Sequence, residues 1–296
     1  MIEMGVPRRL VGYCLNLRVP NWRAYMGMAI LGFAQNIDVS SLDPKIYEDS
    51  IKLVISVSLF LAFAFSINNS FDRDCDAEHD EKSGKNPIVR GLISFEESLI
   101  FSSVIAIVGL ALTYLWFNPL NFMLYLALMM LGGAYSTPPL RLKSTPILDL
   151  ISHGLFFGAL LYLYGASASG GLNLQTTIIS SSLFLYSVIL ELRNHLEDYH
   201  ADLNSGLRTT VCWLGYERAR NLLKFMLVLH VWVLILITLH GGYPILALSS
   251  GVWMAALLRF LRLDFNYYLR FMDLWTGIVY VSLLCLSQIT GWGSPV

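Results

Sequence analysis

The sequence predicts an all-α, polytopic membrane protein: nine transmembrane helices around a central cavity, with the N-terminus cytoplasmic. Three observations lead there. Of 296 residues, 55% are apolar and only 14% charged, with a mean hydropathy of +0.58, whereas soluble domains carry about 25% charged residues. Apolar runs of about 20 residues, the length that crosses a bilayer as a helix, recur along the whole chain. Basic residues are confined almost entirely to alternate connections, as membrane topology requires.

The first element, at 7–17, reads as a short interfacial helix with Arg8 and Arg9 in the headgroup layer. Asn16, Arg18 and Pro20 cut its apolar run too early for a cleaved signal peptide. Spans follow at about 22–38, 50–71, 96–116, 119–136, 147–168, 175–196, 219–240, 243–261 and 270–290. Between the third and fourth, Phe117-Asn118-Pro119 must make a tight turn, and proline suits a break at the interface. The whole chain, 1–296, is read as one domain of two similar four-helix halves, about 20–140 and 145–262, plus a ninth helix.

Nine spans place the termini on opposite sides of the membrane. The N-terminal segment and the even-numbered connections then hold Arg8, Arg9, Arg18, Arg23, Arg73, Lys82, Lys85, Arg90, Arg141, Lys143, Arg193, Arg208, Arg218, Arg220, Lys224, Arg259, Arg262 and Arg270. The other side holds only Lys45 and Lys52, so 18 of the 20 basic residues share one face. That face is the cytoplasmic one by the positive-inside rule. The long loops 72–95, 137–147 and 197–218 lie there too, and long loops in a compact protein usually carry function. A net charge of −1 offers no basic field, so no nucleic-acid partner is expected. Cys14, Cys75, Cys212 and Cys285 are far apart, without CxxC or Cys/His spacing, and read as unpaired thiols.

Two polar clusters interrupt this apolar background. Asn68, Asp72 and Asp76 follow i, i+4, i+8 at the end of the second span, and Asn194, Asp198 and Asp202 repeat the same order and spacing at the end of the sixth. On a helix such residues stack along one face. One such pattern is expected by chance only about 0.02 times in a chain of this length, so two copies argue against ordinary helix ends. Acidic residues near hydrocarbon face the bundle interior because exposure to lipid costs about 2.5–3.5 kcal/mol. Oxygen-only donors of this kind suit Mg²⁺, which takes one or two carboxylates and completes its shell with water and phosphate oxygens. Facing each other, the clusters would hold two or three Mg²⁺ and one diphosphate, with Asp72, Asp76, Asp198 and Asp202 central to the chemistry. Basic and polar residues nearby are candidates for the phosphate oxygens: Lys85 and Arg90 after the first cluster, and Tyr135, Ser136, Arg141 and Lys143 in Tyr-Ser-Thr-Pro-Pro-Leu-Arg-Leu-Lys.

These motifs resemble the UbiA superfamily of intramembrane prenyltransferases. The resemblance covers nearly the whole chain, matching at Asn68, Asp72 and Asp76, at Tyr135 to Lys143, and at Asp198 and Asp202 followed by Gly206-x-Arg208-Thr209. The chain departs at Asn69, where the family often has Asp, and at Lys85-Asn86-Pro87, where many members read Asn-Arg-Pro. Asn69 lies about 100° around the helix from Asn68, away from any metals on that face. The resemblance implies a polyprenyl diphosphate donor, an integral membrane location with the active site toward the cytoplasm, and a lipophilic or aromatic acceptor. Asp149 and His153, spaced i, i+4, are candidates for binding or deprotonating that acceptor, as are His195 and Glu197 beside the second cluster. An ion-coupled transporter is the alternative from another class, since intramembrane carboxylates also couple ions. It predicts acids at mid-span, whereas these crowd the cytoplasmic ends.

Overall fold

A computed structural model describes residues 7–37, 43–78, 80–260 and 265–290; Arg262, one of the basic residues that set the topology, lies outside them. Every regular element among the described residues is helical. The main helices are α1 (Arg8–Asn16), α2 (Arg23–Gln35), α3 (Pro44–Ala77), α4 (Phe95–Trp116), α5 (Pro119–Ser136), α6 (Leu148–Ser169), α7 (Leu174–Glu197), α8 (Tyr216–His240), α9 (Pro244–Phe260) and α10 (Phe265–Thr290). Seven of them, α3 to α8 and α10, are long and apolar enough to cross a membrane. The expected first and eighth spans are shorter, at 13 and 17 residues, or about 20 and 25 Å at 1.5 Å per residue.

Local chemistry explains the helix boundaries. The turn between α4 and α5 forms where expected: Asn118 caps α5 by accepting from the Asn121 N–H, and Pro119 takes the first position, where its missing N–H costs nothing. Ser94 and Glu97 form a reciprocal capping box at the start of α4. Helix α3 runs 34 residues and continues past its apolar stretch to Ala77, which keeps Asn68, Asp72 and Asp76 on one unbroken helix. The second cluster differs from the expectation of a continuous helix. Helix α7 ends at Glu197, Asp198 is its cap at φ −88° and ψ 1°, and Asp202 belongs to the separate short helix Tyr199–Asn204. The Asp198 N–H still bonds the Asn194 carbonyl and the Asp202 N–H the Asp198 carbonyl, both at 2.9 Å, so the i, i+4 stacking survives the break.

Packing relies on close backbone approach and internal polar bonds, the adhesives available where lipid is as apolar as the side chains. A Cβ on Gly32 of α2 would lie 2.0 Å from the Tyr162 carbonyl oxygen of α6, and one on Gly165 of α6 2.0 Å from that of Ala29. Tyr125 donates to the Ser56 carbonyl at 3.0 Å and Tyr164 to the Ser56 hydroxyl at 2.7 Å, tying α3, α5 and α6 together. Ile107, Leu115, Met130, Leu236, Ile245 and Leu248 are exposed. An outer surface so apolar fits lipid rather than water.

Helix α6 is not regular. Its middle, Gly154–Ala159, is a π segment, a form that costs helix geometry and concentrates at functional sites. Gly154 and Gly158 let α7 press against it: added Cβ atoms would meet Val188 Cγ2 at 2.7 Å and the Leu183 carbonyl oxygen at 2.6 Å.

Candidate active site

A cavity of about 370 Å³ gathers both clusters: Asn68, Asp72 and Asp76 on one wall, Asn194, Asp198 and Asp202 on the other. Each of three aspartates already faces a cation. Asp72 Oδ1 is in contact with Lys143 Nζ and lies 3.6 Å from the Arg141 guanidinium. Asp198 accepts from Lys82 at 2.8 Å, and Asp76 lies 3.5 Å from Arg18. Lys143 is buried, and burial pulls its pKa down to about 7 against the opposing pull of Asp202. Burial pushes Asp202 up to about 6, with Asp198 adding in the same direction. Burial also lowers the Arg18 pKa, partly offset by Asp76.

The expected site residues divide into three groups. Tyr135, Ser136, Lys143 and His153 line the cavity with the six cluster residues, and Ser136 Oγ accepts from the Asn68 amide at 3.3 Å. Arg141 does not line the cavity; it reaches Asp72 and also donates to the Phe71 carbonyl at 3.3 Å. Lys85 and Arg90 are exposed and outside the lining. Asp149 is fully buried and outside it as well, accepting from the Thr210 N–H at 2.5 Å, the Thr210 hydroxyl and the Leu150 N–H. These bonds tie it to the loop after the second cluster, and its Oδ2 lies 3.3 Å from Nδ1 of His195, which lines the cavity.

Asn69, on the far side of α3, donates to the Asn16 carbonyl and side-chain oxygens at 3.2 and 3.0 Å, so its amide serves α1. Four residues of the site carry a role that the sequence does not announce. Arg18 and Lys82 read there only as topology charges, yet both line the cavity. Asn86 reads only as a departure from the family pattern, yet its amide donates at 2.9 Å to both Asp76 Oδ2 and the Asn69 carbonyl. Glu191 stands outside both motifs, and it is the hub of the cavity floor. Its Oε1 accepts from the Tyr135 hydroxyl and lies 3.1 Å from His195 Nε2, while its Oε2 accepts from Asn194 at 3.2 Å and lies 3.3 Å from His153 Nε2. The i, i+3 spacing of Glu191 before Asn194 is the one signal that points to it. Around this hub stand Tyr25, Phe65, Phe156 and Phe157, with Tyr25 stacked on Phe157 at 3.9 Å.

No group of three or more His, Cys, Asp or Glu side chains among the described residues is gathered tightly enough to hold an ion alone. The six cluster side chains offer carboxylate and amide oxygens only. That set fits Mg²⁺, which is content with few protein ligands when phosphate oxygens complete its shell, and does not fit a soft metal.

A family model, UbiA prenyltransferase family, matches residues 40–269. The chain belongs to the UbiA prenyltransferase family. This UbiA-family chain is therefore an enzyme that transfers prenyl groups. A lycopene elongase/hydratase of Haloarcula japonica is 30% identical over 213 residues, 70% of this chain and 68% of the relative. A protoheme IX farnesyltransferase of Pectobacterium carotovorum is 38% identical over 76 residues, 26% of this chain and 25% of the relative. Among solved structures, a UbiA homolog from Archaeoglobus fulgidus bound to GPP and Mg²⁺ aligns with TM-score 0.72 at 24% identity, covering 93% of this chain and 97% of that one. The apo UbiA homolog from Aeropyrum pernix K1 aligns with TM-score 0.67 at 16% identity, covering 93% and 98%. These alignments establish the UbiA fold for this family member. Nothing in them supports an ion-coupled transporter.

Proposed function

We propose that this chain transfers a polyprenyl group, geranylgeranyl or similar in length, from an allylic diphosphate to a lipophilic or aromatic acceptor within the bilayer, with Mg²⁺ required. The observation that carries this reading is the doubled Asn-x3-Asp-x3-Asp set on two walls of one cavity, with Lys143, Lys82 and Arg18 set against its carboxylates. Asn68, Asp72, Asp76, Asn194, Asp198 and Asp202 would hold two or three ions. When bound, Mg²⁺ supplies positive charge to the diphosphate oxygens and so favours cleavage of the allylic C1–O bond. Lys82 and Arg18, joined by Lys143 when it is protonated, add positive charge to the leaving group from within the cavity, and Arg141 orients Asp72. Tyr25, Phe65, Phe156 and Phe157 keep water from the allylic cation and offer it ring faces. Lycopene and haem, in the names of the relatives, are both unsaturated and lipophilic, which supports an acceptor of that kind.

The same reading takes nine spans, with α2 and α9 completing the seven longer ones, in two four-helix halves plus a ninth helix around the cavity. It places the N-terminus and the cavity mouth on the cytoplasmic side. The test is purified chain with labelled geranylgeranyl diphosphate and a panel of acceptors. Diphosphate release should depend on Mg²⁺ and yield a prenylated product. Release without Mg²⁺, or release persisting in the Asp72→Ala, Asp198→Ala double variant, would sink the mechanism.

A further inference from the structure

We infer that Glu191 is the positioning residue of the second acidic cluster: it turns the Asn194 amide so that the carbonyl oxygen, and not the nitrogen, meets the cation. This rests on the prenyl-transfer reading above, in which Asn194 is a Mg²⁺ ligand. It also accounts for the residue type, because an amide serves at this position where a further carboxylate fails.

The two ends of an amide are opposites toward a metal ion. The oxygen carries lone pairs, and the nitrogen presents only hydrogens. Mg²⁺ takes oxygen ligands, so a half-turn of the Asn194 amide converts a ligand into a repulsive contact. The amide stands 3.2 Å from Glu191 Oε2. A carboxylate only accepts, so the amide atom facing Glu191 has to be the nitrogen. Oδ1 is then the end left for the cavity that Asn194 lines with Asp198 and Asp202.

Glu191 can impose this orientation because it is itself held. It is only 6% exposed, and groups from three helices converge on it. Oε1 accepts from the Tyr135 hydroxyl of α5 and lies 3.1 Å from His195 Nε2 of α7. Oε2 lies 3.3 Å from His153 Nε2 of α6. A carboxylate offers about four lone-pair sites, and the Asn194 amide takes the one that remains. His153 is fixed in turn by α7, with Nδ1 3.2 Å from the Ser187 carbonyl oxygen and 3.0 Å from its hydroxyl.

The first cluster has a different neighbour at the matching position. Asn68 donates to the Ser136 hydroxyl at 3.3 Å. A hydroxyl both accepts and donates, so it suits either end of an amide and would donate to a carboxylate as readily. One substitution should therefore act oppositely in the two copies of the motif. Aspartate is by itself the better Mg²⁺ ligand. At 68 it keeps Ser136 as a partner. At 194 it sets carboxylate against carboxylate, and the repulsion turns the new side chain out of place.

The test uses the full chain in detergent with labelled geranyl thiolodiphosphate, a donor analogue slow to ionise, and reads the Mg²⁺ concentration for half-maximal binding. Asn194→Asp should raise that concentration by about tenfold or more. Asn68→Asp should lower it or leave it within about threefold. Adding Glu191→Gln to Asn194→Asp exchanges amide and carboxylate, so the bond re-forms with its direction reversed. The requirement should then return to within about threefold of wild type, a restoration that a residue serving only the fold would not show. An unchanged or lower requirement in Asn194→Asp, an equal rise in Asn68→Asp, or no restoration in the exchanged pair would overturn the assignment alone. If Asn194→Asp does not fold, the exchanged pair decides: a requirement near wild type supports the assignment, and one about tenfold higher overturns it. Wild type that binds the analogue equally well without Mg²⁺ would instead overturn the prenyl-transfer reading, and the assignment with it.

Discussion

Replacing Asn86 with alanine should damage both stability and Mg²⁺ use, although Asn86 belongs to neither acidic cluster. Its side chain makes three hydrogen bonds, buried ones to Asp76 Oδ2 at 2.9 Å and to the Asn69 carbonyl at 2.9 Å, and a half-buried one from the Ile88 N–H at 3.0 Å. A bond to a charged partner is worth about 1.5–3 kcal/mol and a neutral one about 0.5–1.5 kcal/mol, so one of the first kind and two of the second together come to about 2.5–6 kcal/mol. Alanine cannot replace them, and the Asn69 carbonyl and Ile88 N–H lose the partner that Asn86 supplied. Among the described residues Asp76 then keeps only the Arg18 guanidinium, at 3.5 Å, so its carboxylate loosens. A partner that orients a metal-binding carboxylate typically governs about 10–100-fold in metal affinity. The stability measured by denaturation in mild detergent should therefore fall by about 2.5–6 kcal/mol, and the Mg²⁺ concentration for half-maximal diphosphate release should rise by about tenfold or more. A cycle with Asp76→Ala isolates the shared bond, with an expected coupling of about 1.5–3 kcal/mol. Effects that simply add, or an unchanged Mg²⁺ requirement, would refute this account of how the first cluster is held.

Chelation by EDTA should stop diphosphate release, with full recovery on adding Mg²⁺, as a plain activity assay will report. Lys143→Met should reduce turnover by about 100-fold, comparable to loss of one preorganised electrostatic contact. Arg90→Ala, at an exposed position outside the cavity, should stay within about twofold, as surface changes commonly do; steady-state kinetics on both variants separates the cavity cations from the topology cations. Gly165→Val should abolish the α2–α6 contact, since a Cβ there meets the Ala29 carbonyl oxygen at 2.0 Å. The strain exceeds the usual 1–3 kcal/mol of overpacking because backbone cannot yield as a side chain does, and a large fall in thermal unfolding temperature would record it.

Much about this protein is local in the chain and therefore legible in the order of its residues. Apolar run length settles the helical membrane class because a bilayer demands about 20 apolar residues whatever their neighbours. The repeated Asn-x3-Asp-x3-Asp spacing marks six cavity residues because i, i+4 positions share a helical face. Helix periodicity likewise turns Asn69 away from them, toward α1. Other features depend on which elements meet. Arg18 reaches Asp76 across 58 residues of sequence and Lys82 reaches Asp198 across 116, and no local pattern distinguishes them from cations that merely set topology. Lys85 and Arg90 carry the same charge near the same cluster, yet the loop turns them outward. His153 and Glu191 are remote in the sequence and 3.3 Å apart in space, and only the packing of α7 on the π segment of α6 makes them a pair. Spacing along a helix is fixed by its pitch, so a sequence carries it openly; contact between helices is fixed by packing of the whole bundle, which only the tertiary structure resolves.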